Sequence, residues 1–338
     1  MAYITLNKNN FFNNLDIIAK QTKSIDKIAI VLKDNAYGHG IIEIATMAKE
    51  YGLKKAVVQN NEEAYKVKNY FDYILVLNDI PTSFNPKIKY TINDLKSISK
   101  FPKNTNVELK IDTGMHRNGI SIDELESALK MISEYSLNVE AIFTHHRSAD
   151  DLSSEWFWQN KRFQHIKKSI ENFSQLVDVK NLRFHSSNSA ALFRHSNFTE
   201  DMARVGIAVY GCMEQNSCLE VQGFKPVLSL YATQISSKSL AKGSRLGYGA
   251  TYELQDKHIV SNYDFGYGDG FLRVLSNRYT TPKGHKLLGR ISMDNSSFIC
   301  DDEEILLFDD AKEVSKVADT IAYEVLTSLK PDIKRKII

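Results

Sequence analysis

A lysine at the end of an apolar run is the first residue of this sequence that is suited to covalent chemistry. Residues 28–32 are all apolar and indicate a buried strand, and Lys33 follows them directly. Burial disfavours the charged form of an amine, so a lysine in this position loses its proton more easily than a surface lysine does. A neutral lysine amine can form a Schiff base with a carbonyl group. The alternative is a lysine whose amine simply reaches past the strand into water.

Other polar side chains that could bind or react follow later apolar runs. They are Asp112, Arg117, His145, His146, Asn188 and Ser189. Each has a plainer alternative: His145 could be a hydrogen-bonded core residue, and Asn188 with Ser189 could only cap a helix. A capped helix start is also a seat for a phosphate group, because its free N–H groups favour an anion. Arg204, near the start of its predicted strand, could be one half of a buried ion pair.

The order of the predicted elements favours an α/β fold. Eight candidate strands alternate with helical patterns, which are clearest at residues 125–135 and 157–173. The strands are predicted at residues 28–33, 56–59, 73–77, 90–92, 107–111, 139–144, 182–185 and 203–209. This alternation is typical of a (β/α)8 TIM-like barrel, in which catalytic groups lie at the carboxyl ends of the strands.

A mostly β region follows the barrel and is predicted to be a second domain, over residues 226–338 after a first domain over residues 1–225. Its strands are predicted at residues 227–234, 259–261, 286–288, 297–300 and 305–308. A final helix is predicted over residues 314–329, and the basic residues 334–336 are predicted to form a solvated end. Residues 1–6 alternate as a short strand that could pack with this second domain. Asn9 or Asn10 is predicted to cap the helix that follows it.

Composition narrows the functional classes. The chain has 338 residues, of which 43% are apolar, and a net charge of +2, which argues against a nucleic-acid partner. Its three cysteines form no metal-binding pair and are predicted to be reduced thiols. The sequence shows neither a signal-peptide pattern nor an apolar run of membrane-spanning length, so a cytoplasmic protein without a membrane partner is expected.

Several common catalytic motifs are missing from the sequence. It has no Gly-x-Ser-x-Gly elbow and no Gly-x-Gly-x-x-Gly loop, which argues against hydrolase and dinucleotide-binding functions. It has no His-x3-His or Cys-x2-Cys spacing, so no metal site is predicted.

A series of segments resembles the signatures of the alanine racemases, pyridoxal-phosphate (PLP) enzymes of fold type III. The segments are residues 31–40, 109–119, 144–150, 185–191, 204–211, 246–252, 265–270, 289–294 and 321–324. The similarity extends from about residue 3 to residue 330 in the order and spacing of the family. It implies an isomerase that interconverts L- and D-alanine and supplies D-alanine for bacterial peptidoglycan.

The resemblance also assigns roles to individual residues. It implies that Lys33 carries PLP and is one of two catalytic bases, and that Tyr248 is the other. Arg117 and Met293 would bind the substrate. The implied cofactor-binding residues are Lys33, Tyr37, His145, Asn188, Ser189, Arg204, Gly206, Ile207 and Tyr323. The implied supporting residues are Lys110, which is often carbamylated in the family, Tyr267 and Asp294.

The family resemblance further implies a homodimer with shared active sites. In the family, the β domain of one subunit covers the barrel of the other, so Lys33 and Tyr248 of one site would come from different chains. A two-fold dimer makes two such sites.

Alternatives and departures remain at this stage. A broad-specificity or serine racemase of the same family, or a non-catalytic PLP-binding protein, would share part of the pattern. A PLP decarboxylase is disfavoured because its cysteine signature is not found, and a barrel enzyme that binds phosphate without PLP would show no cofactor absorbance. The sequence departs from the family at His116, where glycine is common, at His146 with Arg147, and at Asp34.

Overall fold

The chain folds into two large sheets and one two-stranded sheet, with helices packed around them. The computed structural model describes residues 1–338, and its strands are numbered β1 to β17 in chain order. The strands cover Tyr3–Leu6, Ile28–Val31, Lys55–Val58, Tyr73–Val76, Ile88–Ile92, Asn106–Lys110, Asn138–Phe143, Arg183–His185, Ala203–Val205, Leu228–Leu240, Arg245–Leu246, Tyr252–Glu253, His258–Tyr263, Leu287–Leu288, Ser296–Ile299, Glu304–Phe308 and Lys334–Ile337. The right-handed helices cover Lys8–Thr22, Ile41–Tyr51, Asn61–Val67, Leu95–Ile98, Leu125–Glu134, Glu155–Ser169, Ser189–Leu192, Ala311–Ala318 and Ala322–Thr327.

Strands β2 to β9 form one parallel sheet in the order β8-β7-β6-β5-β4-β3-β2-β9. The two end strands, β8 and β9, lie close to each other. The Arg204 amide in β9 donates to the carbonyl of Ser187, just after β8, at 2.9 Å. The Asp201 amide likewise donates to the Phe184 carbonyl at 3.1 Å. Most residues of these strands are buried, as expected for a parallel sheet that is covered by helices. The predicted (β/α)8 barrel is therefore confirmed.

The barrel differs from the prediction at its last strand. Strand β9 ends at Val205 rather than residue 209, and the residues after it form turns. Arg204 therefore lies one residue from the carboxyl end of its strand, where barrel enzymes place functional groups. No helix forms between β4 and β5, and β5 begins at Ile88, two residues earlier than predicted.

The second sheet is mostly antiparallel and has the order β14-β15-β13-β10-β1-β17, with β16 also paired to β10. Strand β1 pairs with β10, with Tyr3 opposite Tyr231, so the start of the chain lies in the sheet of its second half. Both sheets bury apolar side chains in one core of 82 residues. No helix in the structure has the length and apolar character that a membrane span requires.

The end of the chain is a strand, and the prediction of a solvated end is wrong. Strand β17 pairs in parallel with β1, with Tyr3 opposite Lys334. The basic side chains stay at the surface while the backbone completes the edge of the sheet, and Lys336 lies 4.1 Å from the centre of the Tyr3 ring. Charge pattern predicted the exposure of these side chains but not the pairing of their backbone.

Three helix boundaries also differ from the prediction. The first helix begins at Lys8 and is capped by Asn7, whose side chain accepts a hydrogen bond from the Asn10 amide. The predicted final helix is two helices, separated at Asp319, where φ is 55°. The predicted helix over residues 157–173 begins at Glu155 and becomes a 3-10 helix after Ser169.

Candidate active site

Lys33 begins a left-handed helical turn just beyond the carboxyl end of β2. Asp34, Asn35 and Ala36 each have φ of 54°, and Tyr37 has φ of 52°. Left-handed backbone costs about 1–2 kcal/mol per L-residue and rarely occurs in consecutive residues. Strain of this kind persists only where the surrounding structure holds it, and it is concentrated at functional sites.

The Lys33 side chain is accessible at the mouth of the barrel. It is 39% exposed, and its amine lies 3.8 Å from Asp34 Oδ2 and 6.0 Å from the centre of the Tyr37 ring. The expectation of a buried lysine is therefore wrong for the single chain, although β2 itself is buried. The side chain leaves the sheet where the turn begins, and no other part of this chain covers it.

Contacts from distant parts of the chain hold the turn. Glu63 accepts a hydrogen bond from the Asp34 amide at 2.7 Å. The Arg335 guanidinium in β17 donates twice to the Gly38 carbonyl, at 2.8 and 3.1 Å. Gly38 has φ of 74°, and a Cβ atom there would lie 2.0 Å from the Leu326 carbonyl oxygen. The last strand thus supports the segment that presents Lys33.

Cationic side chains gather around this mouth. Lys110, at the end of β6, has its pKa lowered to about 8, chiefly because it is buried. The positive charges of Arg117, Arg204 and Lys33 lower this pKa further, whereas Asp112 opposes them. Arg117 is exposed and makes no ion pair within the chain. The arrangement favours an anionic ligand, because like charges packed this closely repel one another in its absence.

His145 lies against the same group of cations. Burial, and after it the charges of Arg204, Lys110 and Arg117, holds the pKa of His145 well below its usual value. The imidazole is therefore neutral at pH 7 and can act as a hydrogen-bonding or stacking group. His145 is only half-buried and lies two residues beyond the end of β7, which places it at the mouth rather than in the core.

Arg204 is fully buried and forms hydrogen bonds within the barrel. Its Nη1 lies 2.6 Å from His185 Nδ1, and its Nη2 donates to the Thr144 carbonyl at 2.7 Å. Burial lowers the pKa of the guanidinium to about 10, which leaves it charged at pH 7. It has no carboxylate partner of its own, so the predicted ion-pair alternative is wrong.

A buried acid below Arg204 escaped the sequence analysis. Glu108 Oε2 lies 2.8 Å from His185 Nε2, and Glu108 Oε1 accepts hydrogen bonds from Tyr73 at 2.6 Å and Arg183 at 2.8 Å. Burial raises the pKa of Glu108, but His185 and Arg183 outweigh it and lower the pKa to about 2. In β6, Glu108 and Lys110 alternate with apolar residues, a pattern that usually indicates a solvent-facing side, so no sequence signal identified Glu108 as buried.

The residues predicted to bind phosphate lie together beside Lys33. The Ser189 hydroxyl accepts from the Gly206 amide at 3.0 Å, and Asn188 caps the helix that begins at Ser189. A Cβ atom on Gly206 would lie 2.6 Å from the Tyr37 hydroxyl. The rings of Tyr37 and Tyr323 are 5.8 Å apart. Ile207 follows Gly206 in the same turn, so backbone amides and two phenols face one small region.

The remaining predicted residues lie elsewhere, on one exposed face of the β domain. This face consists of Tyr248, Tyr267, Met293 and Asp294. Tyr248, Met293 and Tyr267 are 69%, 56% and 42% exposed. The Gly268 amide donates to the Met293 carbonyl at 2.8 Å, which fixes the two loops against each other. The structure of the single chain does not bring any of these residues into contact with Lys33.

The residues that depart from the family pattern lie beside the mouth. Arg147 donates to the Gly114 carbonyl at 2.9 Å and so holds the loop that carries Arg117. Burial lowers the pKa of His146 to about 4, and its Nε2 lies 3.1 Å from Ser186 Oγ. His116 is exposed. With φ of 53°, it occupies a backbone region that explains why glycine is common there.

Comparison with known sequences decides the family. The sequence profile described as alanine racemase, N-terminal domain, matches residues 6–214, and the profile of the C-terminal domain matches residues 227–337. The chain belongs to the alanine racemase family. An alanine racemase of a Nitratiruptor species is 42% identical over 335 residues, 99% of each chain. One of Campylobacter concisus is 40% identical over the whole of both chains.

Solved alanine racemase structures agree with the observed fold. The structure of the Bacillus anthracis protein with bound L-Ala-P has a TM-score of 0.89, with 26% identity over 100% of this chain and 95% of that one. The Bartonella henselae protein, which carries covalently bound pyridoxal phosphate, has a TM-score of 0.83, with 25% identity over 100% and 99%. Both are similar to this chain along its whole length, so the barrel and the β domain belong together in the family.

Proposed function

We propose that this chain is an alanine racemase that interconverts L- and D-alanine with PLP as its cofactor. The observation that carries the proposal is the group of cations around the accessible Lys33 amine at the mouth of a family barrel. D-alanine for bacterial peptidoglycan is its expected product, made in the cytoplasm. The alternative of a non-catalytic PLP carrier is not favoured, because the family's C-terminal domain is present.

The residues around Lys33 fit PLP. A Cβ atom on Gly206 would lie 2.6 Å from the Tyr37 phenol oxygen. The absence of this side chain leaves room for a phosphate group beside the phenol. Tyr37, Asn188, Ser189, Gly206, Ile207 and Tyr323 are proposed to hold it. His145 is neutral and lies at the same mouth, where it can contact the ring. Excess positive charge around Lys33 matches an anionic cofactor and a carboxylate substrate.

Two side chains are proposed to move the proton. PLP supplies an electron sink that acidifies the α-hydrogen of the bound amino acid. Lys33 is proposed to carry the cofactor and, once displaced by substrate, to exchange the α-proton through Nζ on one face. Tyr248 is proposed to exchange it through Oη on the other face. Two groups on opposite faces allow a proton to be removed from one side of the carbon and returned to the other.

Arg204 is proposed to face the pyridine nitrogen of the cofactor. A guanidinium does not give up a proton readily, so the nitrogen beside it stays unprotonated. His185 Nδ1, 2.6 Å from Arg204 Nη1, orients the guanidinium from below. With that nitrogen unprotonated, the bound cofactor would be a weaker electron sink, which would limit side reactions such as transamination.

Arg117 and Met293 are proposed to bind the substrate carboxylate, the first by charge and the second by its backbone amide. Lys110 is proposed to carry a carbamate that steadies Arg117. A lysine with its pKa near 8 has an appreciable neutral fraction at pH 7, and its Nζ can attack CO2, forming a C–N bond and releasing one proton. Tyr267 and Asp294 are proposed to support the Met293 loop.

The active sites are proposed to be shared within a homodimer. The Lys33 side chain contacts Asp34 and Tyr37 but not Tyr248 within one chain, and the Tyr248 face is exposed where a catalytic site should be closed. A two-fold dimer that places this face over the partner's barrel mouth supplies both bases to each of two sites.

Borohydride reduction tests the cofactor assignment. The purified protein is reduced, digested and analysed by mass spectrometry, and the pyridoxyl group is expected on Lys33. Lys54, an exposed lysine just before β3, is the internal control and should remain unlabelled. Label on a lysine other than Lys33, or no label, contradicts the proposal.

Initial rates with L-alanine should exceed those with L-serine, L-lysine and L-arginine; a higher rate with any of these three contradicts alanine as the preferred substrate.

A further inference from the structure

Three side chains that commonly bind metals lie together in the β domain, apart from the proposed active site. His285 Nε2 is 3.8 Å from Cys300 Sγ and 3.5 Å from Asp302 Oδ2, and all three donor atoms lie within 4.8 Å of one another. No other group of His, Cys, Asp and Glu side chains in the structure meets this criterion. Spacing in the sequence did not reveal it, because His285 is remote from the other two.

The two separations from His285 Nε2 are close to those of a tetrahedral metal site. Bond lengths of about 2.3 Å to sulfur and about 2.0–2.2 Å to nitrogen and oxygen place tetrahedral S and N donors about 3.6 Å apart and N and O donors about 3.4 Å apart. The distances of 3.8 and 3.5 Å from His285 Nε2 are within a few tenths of an ångström of these values. An ion could therefore bind without rearrangement of the backbone.

The strands place His285 opposite Cys300. Leu287 of β14 pairs with Phe298 of β15, and the same register continued outward sets His285 against Cys300. The Thr281 amide donates to the His285 carbonyl at 2.9 Å, which fixes a tight turn before β14. The donors thus come from two separate segments whose backbones are already held.

The segment that carries the other two donors is also fixed by hydrogen bonds. The Ser261 hydroxyl donates to the Cys300 carbonyl at 2.7 Å, and the Tyr263 hydroxyl donates to the Asp302 carbonyl at 2.8 Å. These contacts fix the backbone from which the two donor side chains extend, and sites built on a rigid backbone hold their ligands more precisely. They involve no residue of the proposed racemase site.

We propose that His285, Cys300 and Asp302 bind one transition-metal ion of the Zn2+ class, with water as the fourth ligand. A thiolate with an imidazole favours such an ion over Mg2+ or Ca2+, which prefer oxygen donors. Binding replaces the Cys300 thiol proton by the metal and releases that proton to solvent. The Asp302 side chain is 59% exposed, so the ion can reach the site from solution. A bound ion links the turn before β14 to the end of β15.

The test uses the PLP-loaded enzyme under reducing conditions after treatment with a chelator. Zn2+ is titrated against a chromogenic chelator, and one ion per chain is expected to bind. Cys300→Ser and His285→Gln should each weaken binding by at least about 10-fold, the smallest loss typical of groups that merely support a ligand. Asp302→Asn should weaken it less, and thermal unfolding of the wild type should shift upward with Zn2+.

Cys218→Ser is the matched control, because it removes an exposed free thiol outside the cluster. It should bind Zn2+ as the wild type does. Retained racemase activity shows that a variant is folded, and at least the exposed Asp302→Asn is expected to retain it. Absence of Zn2+ binding by the wild type, or equal binding by wild type, Cys300→Ser and His285→Gln, overturns the proposal.

Discussion

The barrel mouth and the face of the β domain that carries Tyr248 differ in how completely one chain builds them. At the mouth, Arg204 is buried and hydrogen-bonded, and Arg335 and Glu63 hold the turn after Lys33. On the β-domain face, Tyr248 is 69% exposed and lies on a short turn. The first region is a supported half-site, whereas the second presents a reactive group to solvent.

This difference supports the proposal that neither region is the whole active site. The proposed two-base reaction uses groups on opposite faces of one carbon, and a single chain keeps Lys33 and Tyr248 apart. Water-exposed Tyr248 is poorly placed for acid–base catalysis until another surface covers it. The comparison therefore supports the proposal that a second copy of the chain completes the site.

The largest expected effect comes from a substitution of Tyr248, on the exposed face of the β domain. Tyr248→Phe removes only the phenol oxygen and should lower kcat for racemisation by about 10²–10⁴-fold, the usual contribution of a general acid–base group. The absorbance of bound PLP should not change, because the cofactor site lies at the barrel mouth. Tyr252→Phe is the control, because Tyr252 lies two residues after the turn that contains Tyr248. This variant should keep near wild-type rates. Near-full activity of Tyr248→Phe in both directions would contradict the two-base proposal.

A second, smaller effect tests the buried contacts that support the barrel mouth below Arg204. Glu108→Gln removes a buried charge that contacts His185 and Arg183, and should lower the free energy of unfolding at pH 7 by about 1–3 kcal/mol. The depressed folded-state pKa of Glu108, about 2, means that its contribution is present above the unfolded value of about 4.3. That contribution is lost as pH falls from there through the folded-state pKa.

The variant should therefore show a shallower loss of stability than the wild type between about pH 4 and pH 2, measured by urea unfolding at several pH values. Glu140→Gln is the matched control, because Glu140 contacts the same Arg183 but is partly exposed. Its effect should be smaller. Parallel pH profiles for wild type and Glu108→Gln would show that Glu108 does not stabilise the barrel in this way.

The smallest effect concerns the contact between the last strand, β17, and the barrel mouth. Arg335→Ala removes the hydrogen bonds from β17 to the Gly38 carbonyl and should lower the stability of the PLP-loaded enzyme by about 0.5–1.5 kcal/mol. Lys336→Ala removes a neighbouring cation that has no contact with the turn, and should change stability less. The Tm of both variants is measured by calorimetry. An equal change in both would show that the basic strand acts only through its general charge.

The sequence predicted the barrel well, because alternation of apolar runs with helical patterns records a parallel sheet directly. It predicted the positions of Lys33, Arg117 and His145 after their strands for the same reason. It did not predict the left-handed turn after Lys33, because Asp and Asn adopt positive φ mainly as single residues, whereas here the run continues through Ala36 and Tyr37. Long-range contacts with Glu63 and Arg335 hold that turn.

Long-range pairing also explains the other differences. The basic end of the chain has the composition of a solvated tail, and only the free edge of β1 makes it a strand. Glu108 alternates with apolar residues in β6 as an exposed residue would, and its partners His185 and Arg183 are more than 70 positions away along the chain. The break between the last two helices depends on one left-handed residue, Asp319, which periodicity does not reveal.

Mixing of two inactive chains tests the shared active site most directly. Lys33→Ala and Tyr248→Phe chains are each expected to be nearly inactive alone. When they are co-expressed, random pairing makes about half of the dimers mixed, and each mixed dimer has one intact site of two, so about a quarter of wild-type activity should return. Pairing Lys33→Ala with a chain that carries both substitutions is the control and should restore none.

Tags on the two chains allow mixed dimers to be purified, so that their activity is measured per dimer. About half of the wild-type activity per purified mixed dimer is predicted, because one site in each contains Lys33 from one chain and Tyr248 from the other. Activity of the mixed dimer at the level of the single variants would mean that both residues act within one chain, and would contradict the shared site.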